Sequence, residues 1–258
     1  MADEVLYEKK GHVVIITLNR PEAMNSFDPA QIKQFSEAAL KFKDDPDAWV
    51  AIVTGTGDKA FSAGFDLKTM DAGGDRLPSP GDDAPPLIQR GLDVFKPIIA
   101  AINGVAMGGG LEVILACDLR IAAEHVKVSV PEVKWNLIPG WGGTQRLPRQ
   151  IGRAKAAEML LIGASIDAQE ALRIGLINKV VPADKLMEEA MAWAEKIAQN
   201  GPLAVRAAKE CIIRGTDMTL EDGMQLELDL VDGLLDTEDS KEGPKAFAEK
   251  RKPVFKGR

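Results

Sequence analysis

Apolar positions along this chain recur in two rhythms, and the switch between them marks out its elements. Residues 5–9 and 13–18 are strand-like, and the Lys10-Gly11-His12 turn between them predicts a hairpin leading into a sheet. Asp28 followed by Pro29 is a helix start, and Ile32, Phe35, Ala39 and Leu40 carry that helix to about residue 43. Residues 49–55 and 97–102 are short and almost wholly apolar, which suits strands covered on both faces. A helix is expected over 109–117, with strands near 119–122 and 127–130. From residue 144 the pattern turns mainly helical. Asp167 caps a segment ended by Gly175, residues 179–181 give a last strand, and helices fill about 184–199, 202–214, 219–234 and 240–250. Residues 71–86, rich in Gly, Pro and Asp, read as a mobile surface loop. The strand–strand–helix rhythm followed by a helical last third is an α/β plan.

Composition narrows the function classes. The chain has 258 residues, 32 Lys+Arg against 39 Asp+Glu, and a net charge of −7. That balance argues against a general nucleic-acid binder. No run approaches the length of a transmembrane helix, and the acidic, mixed start lacks a signal or transit pattern, so a cytoplasmic, non-membrane protein is expected. Cys117 and Cys211 lie in apolar helical patterns and are expected as buried free thiols. The two histidines, His12 and His125, have no Cys or His cluster beside them, so no zinc site is expected.

Chemistry concentrates in three stretches: AFSAGFDLK (60–68), the three glycines at 108–110 with Glu112 just beyond, and PEVKWNLIPGWGGTQRL (131–147). Glycines at a helix mouth let an oxygen atom reach backbone N–H groups that have no partner inside the helix. No phosphate-loop motif accompanies them, so a carbonyl oxygen gaining charge during reaction is the better guest, and an amide in 63–66 offers a second donor. Close backbone packing is an equal explanation of the glycines taken alone. Glu112 alone is explained by the helix dipole, and Glu132 alone by an ordinary surface acid. Together, two carboxylates beside one water can divide the work of base and acid.

At these residues the sequence resembles the enoyl-CoA hydratase/isomerase (crotonase) superfamily over essentially its full length. NRPEAMNS (19–26), AFSAGFDLK (60–68), PIIAAINGVAMGGGLE (97–112), the 131–147 stretch and FAEKRKPVFKG (247–257) carry the likeness. The resemblance implies a crotonase-like spiral of ββα turns (1–200) holding an acyl-CoA site, with a C-terminal helical trimerisation region (201–258). It implies homotrimers, commonly paired into hexamers, no cofactor beyond the CoA of the substrate, and no nucleic-acid or membrane partner. The thioester oxygen is expected between the N–H groups of Phe65 and Gly109, with Glu112 and Glu132 catalytic. Substrate contacts carry over to Ala23, Met24, Ala63, Asp66, Leu67, Lys68, Gly108, Pro131, Trp141, Phe247 and Lys250. Retention of both glutamates favours hydration of a 2-enoyl-CoA. Isomerisation, dehydration of a carnitinyl-like thioester, cyclic acyl-CoA hydration or hydrolysis, and a non-catalytic assembly or RNA-binding relative are the alternatives. Phe65, Trp135-Asn136 and Trp141 replace smaller residues common in hydratases, so the acyl group is expected to be branched, cyclic or otherwise unusual.

Overall fold

The computed structural model describes residues 3–68 and 85–258, so residues 71–84 of the expected loop lie outside the described residues. The hairpin forms as β1 (Val5–Lys10) and β2 (Val13–Leu18), paired antiparallel in full register. Helix α1 (Pro29–Asp44) starts where Asp28 accepts the Gln31 amide, as the cap predicts. The chain then repeats one unit. Strands β3 (Val50–Gly55), β5 (Ile98–Ile102) and β7 (Leu119–Ala123) lie side by side in a six-stranded sheet of order β1-β2-β3-β5-β7-β10, with β10 at Lys179–Val181. Their successors β4 (Ala60–Ser62), β6 (Val105–Met107) and β8 (Lys127–Ser129) lie side by side in a second sheet. Each turn of the spiral thus gives one strand to each sheet, and these successive strands pair parallel. Strand β9 (Ser165–Asp167) closes the second sheet antiparallel to β8.

Helix α2 (Gly109–Ala116) packs on β4 and β6, and its Leu111, Val113, Ile114 and Leu115 are all buried. The short apolar strand runs anticipate this: β3 and β5 are buried at every position. Helices α3 (Gly143–Ile151), α4 (Arg153–Ile162) and α5 (Ala168–Arg173) follow. Helix α6 (Leu186–Ala198) covers the six-stranded sheet. Helices α7 (Pro202–Gly215), α8 (Leu220–Leu235) and α9 (Glu238–Ala248) complete the chain. Of the second sheet, hydropathy foretold only β8, as the strand near 127–130; β6 and β9 are too short to show an alternation. Cys117 is buried as expected, with burial pushing its thiol up to about 12, whereas Cys211 is only partly covered.

One partly buried ion pair ties the last helices to the sheet. Lys209 Nζ of α7 meets Asp118 Oδ2 at 2.7 Å and also donates to the Lys96 carbonyl. The same Asp118 oxygen accepts the Ile98 amide at the start of β5. Removing one partner strands the other in a desolvated place. Lys209→Met is therefore expected to destabilise the fold by about 2–4 kcal/mol. Urea denaturation at fixed protein concentration measures this, and adding Asp118→Asn is expected to restore part of the loss.

Candidate active site

Three adjacent parallel strands deliver the candidate groups. Phe65 follows β4, Gly109 follows β6 and Glu132 follows β8, so their C-terminal ends come together although their numbers are far apart. The β4–β6 register shifts between Ala60 and Ser62, a bulge that redirects the chain after β4. An isolated bridge then pins Phe65: the Phe27 amide donates to the Gly64 carbonyl (2.8 Å) and the Asp66 amide to the Phe27 carbonyl (2.9 Å). The Phe65 amide between them donates to no acceptor among the described residues, and neither does the Gly109 amide.

The glycines make this approach possible. Gly108 caps α2 at φ 50°, ψ −123°, and Gly64 sits at φ 90°, conformations that side-chain-bearing residues rarely hold. A methyl at Gly64 would stand 2.6 Å from the Met107 carbonyl oxygen and 3.0 Å from the Gly109 nitrogen. One at Gly110 would overlap the Ser62 carbonyl. The two turns are in backbone contact, and the two open amides belong to them.

Glu112 lies in the first turn of α2 and is only 3% exposed. Its Oε1 accepts the amides of Trp141 and Gly143, both at 2.7 Å. Its Oε2 accepts no hydrogen bond among the described residues. Burial raises the carboxyl to about 7, outweighing the two amides that favour the anion; the nearby Glu132 charge raises it further and Arg146 opposes. Glu132 sits in the turn after β8, where burial also raises its carboxyl. Its Oε2 is buried without a partner among the described residues, and its Oε1 lies 2.8 Å from where a Gly108 side chain would begin. Two carboxylates with raised affinity for protons thus flank the Gly108–Gly109 turn.

The remaining expected residues divide into two groups. Met24 and Asn25 are left-handed, at φ 55° and 53°, and the Ala63 amide donates to the Met24 carbonyl. Ala23 ends the short turn before them. Asp66 pairs with Arg20 at 3.3 Å and accepts the Lys68 amide, while Leu67 and Lys68 face outward. The Gly108 amide bonds Ser129, and Pro131 starts the Glu132 turn. Trp141 is buried edge-on to Phe27, its ring against Gly109, so it joins the site. Trp135, 65% exposed, projects to solvent. Phe247 and Lys250 lie at the end of α9, which packs on α8, and Phe247 is 87% exposed; within one chain they do not join the carboxylates.

Sequence reasoning missed the amide clamp on Glu112 and the anchor of the first loop. Asn25, buried, donates to the carbonyls of Thr56 and Ala60 and accepts the Arg20 amide. The signal for the clamp was present in PGWGG, where a methyl at Gly143 would stand 3.1 Å from Glu112 Oε1.

A spiral of paired strands with two open amides beside two carboxyls of raised proton affinity has the crotonase-type fold. The Enoyl-CoA hydratase/isomerase family model matches residues 8–258, and the chain belongs to that family. It is 46% identical to (E)-benzylidenesuccinyl-CoA hydratase of Thauera aromatica, over 98% of this chain and 99% of that protein. It is 41% identical to carnitinyl-CoA dehydratase of Citrobacter koseri over the whole of both chains. A crystal structure of enoyl-CoA hydratase from Bacillus anthracis superposes with a TM-score of 0.92 at 43% identity, over 99% of this chain and 100% of that one. These named relatives are hydro-lyases.

The raised Glu112 pKa has a signed consequence for stability. Between pH 4.5 and about 7 the folded chain holds a proton that the unfolded chain has released, so stability falls as pH rises through that window. The shift corresponds to roughly 3 kcal/mol. Glu112→Gln removes this loss. Its stability relative to wild type is expected to improve by up to about 3 kcal/mol from pH 4.5 to 8, read from urea midpoints across pH.

Proposed function

We propose that this protein hydrates a 2-enoyl-CoA thioester to a 3-hydroxyacyl-CoA. The observation that carries the reading is the pair of open amides, Phe65 and Gly109, beside two carboxyls whose proton affinity is raised. The thioester oxygen accepts both N–H groups and takes up negative charge as the enolate forms, where each such donor contributes roughly 10²–10³ in rate. Water attacks Cβ and gives up a proton to Glu112, whose clamped Oε1 favours the anion that must receive it. Glu132 delivers a proton to Cα, so one H and one OH are added across the double bond. A carboxyl near pH 7 suits either role, because proton transfer in both directions is then close to balanced.

Run backwards, the same groups eliminate water from a hydroxyacyl-CoA, and a relative named as a dehydratase supports that direction as the second reading. Nothing in this scheme requires a cofactor beyond the CoA of the substrate, a nucleic acid or a membrane, and we place it in the cytoplasm. Ala23, Met24, Ala63, Asp66, Leu67, Lys68, Gly108, Pro131 and Trp141 hold the thioester in this reading. Among the described residues no helix is long and apolar enough to cross a membrane.

In the same reading residues 1–200 are the spiral and 201–258 a helical region that builds homotrimers, paired into hexamers. Helix α8 supports this: none of its residues is buried, and Leu220, Met224, Leu228, Val231 and Leu235 stand exposed along it. Phe247 and Lys250 then reach the CoA of a neighbouring subunit.

Two outcomes are expected. Glu112→Gln and Glu132→Gln each lower kcat for crotonyl-CoA hydration by about 10²–10⁴-fold, followed through loss of the enoyl-thioester absorbance; near wild-type rates in both overturn the assignment. Light scattering gives the mass of three or six chains, and Leu228→Glu shifts it toward the single chain.

A further inference from the structure

We propose that Arg146 is a positioning residue of this site: it locks the loop whose amides clamp Glu112 and sets a positive charge near that carboxylate. Only the kinetic part of its test rests on the hydratase reading.

The geometry runs through one residue. The Trp141 amide donates to Glu112 Oε1 at 2.7 Å, while the Trp141 carbonyl accepts from Arg146 Nη1 at 3.0 Å. The same Nη1 donates to the Gln89 carbonyl, also at 3.0 Å, so one guanidinium nitrogen ties the clamping loop to a second segment of chain. The Arg146 amide donates to the Gly142 carbonyl at 2.8 Å. Gly142 lies between the two residues that clamp Glu112. It sits at φ 105°, and a methyl there would overlap Arg146 Nη1. A glycine at that position lets the guanidinium lie against the loop.

The charge is the independent observation. Arg146 is half-buried, which disfavours its charged form, and Glu112 opposes that effect. Its hydrogen bonds go to carbonyls, and among the described residues it forms no ion pair. The charged groups that face Glu112 are Glu132 and Arg146. Those that face Arg146 are Glu112, the Cys117 thiol just past α2 and Arg120 of β7, and Arg90, Arg149 and Asp217 line a cleft with it. Burial and Glu132 raise the proton affinity of Glu112, and Arg146 lowers it. A residue that only pinned the loop would need no charge.

The test is Arg146→Gln, with Arg146→Lys beside it. With crotonyl-CoA, Arg146→Gln is expected to lower kcat by about 10²-fold, the cost of a group misplaced by about 1 Å, at little change in KM. The rising limb of kcat against pH reports the base in the complex and is expected to move to higher pH, since the Glu112 anion loses support. Arg146→Lys keeps the charge, so its limb is expected to move less. A limb that stays in place in Arg146→Gln, or moves equally in both variants, overturns the inference. Urea midpoints across pH read the coupling without chemistry. In Arg146→Gln the fall of stability with rising pH is expected to extend to higher pH than in wild type, and this difference is expected to vanish when both chains also carry Glu112→Gln. A loss of equal size at every pH overturns the inference. If the wild-type protein does not hydrate crotonyl-CoA, the hydratase reading falls and the urea comparison alone decides. If Arg146→Gln does not fold, Arg146→Lys decides: a reduced kcat at unchanged KM supports the inference, and a wild-type kcat overturns it.

Discussion

The whole site hangs on one backbone-to-backbone approach, that of residues 62–64 against 108–110. Three glycines sit there because no other residue fits: Gly64 against the Met107 carbonyl and the Gly109 nitrogen, Gly110 against the Ser62 carbonyl, and Gly108 at a positive φ beneath Glu132. Glycine is costly to order, since it gives up the most backbone freedom on folding. The spiral offsets that cost by register. Parallel pairing of Ala60 with Val105 and of Ser62 with Ala106 brings the two strand ends level, and a bulge turns the first toward the second. Two N–H groups from distant stretches, neither with a partner among the described residues, then stand on turns in backbone contact.

The second constraint is a balance between burial and hydrogen bonding at Glu112. Hydrogen bonds to a charged group contribute about 1.5–3 kcal/mol each, and Glu112 Oε1 has two. Withdrawing a carboxylate from water costs several kcal/mol. The sums are close, and burial wins by enough to bring the group to about 7 rather than to leave it permanently ionised or permanently neutral. Glu132 shares the setting, since its burial is matched by an oxygen with no partner. Both groups need what the folded chain does not supply. A polar guest such as a water molecule between them would supply it.

Much of this was legible in the sequence, and the reason differs from part to part. The hairpin, α1 with its Asp28 cap, and the buried runs of β3 and β5 follow from local pattern, and the structure keeps them within a residue or two. The pairing of Phe65 with Gly109 was legible only through likeness to a family, because nothing local says that β4 and β6 are neighbours. Of the second sheet only β8 was legible, as the strand expected near 127–130; its pairing with β4, β6 and β9 was not, because strands of three residues carry no period that says which are neighbours. The clamp on Glu112 escaped because backbone donors leave no residue signature beyond the glycines that admit them. Trp135 was misread for the same cause in reverse. Its size drew attention, while its place on a turn after Glu132 turned it to solvent.

Building the polarising groups from peptide N–H rather than side chains has a consequence for how such a protein can vary. Any residue except proline at position 65 keeps the donor, so a phenylalanine there changes the surroundings of the thioester and leaves the donor itself in place. Trp141 is bound by the same logic: its amide holds Glu112 while its ring packs on Gly109 and Phe27. The parts that stabilise charge are fixed by the glycines and the strand register. The Phe65 and Trp141 side chains stand on the same backbone as these amides without supplying the donors. In the proposed reading, the donors are therefore backbone atoms and the surroundings of the thioester are side chains of the same few residues, so a change of side chain at 65 or 141 leaves the two N–H groups in place.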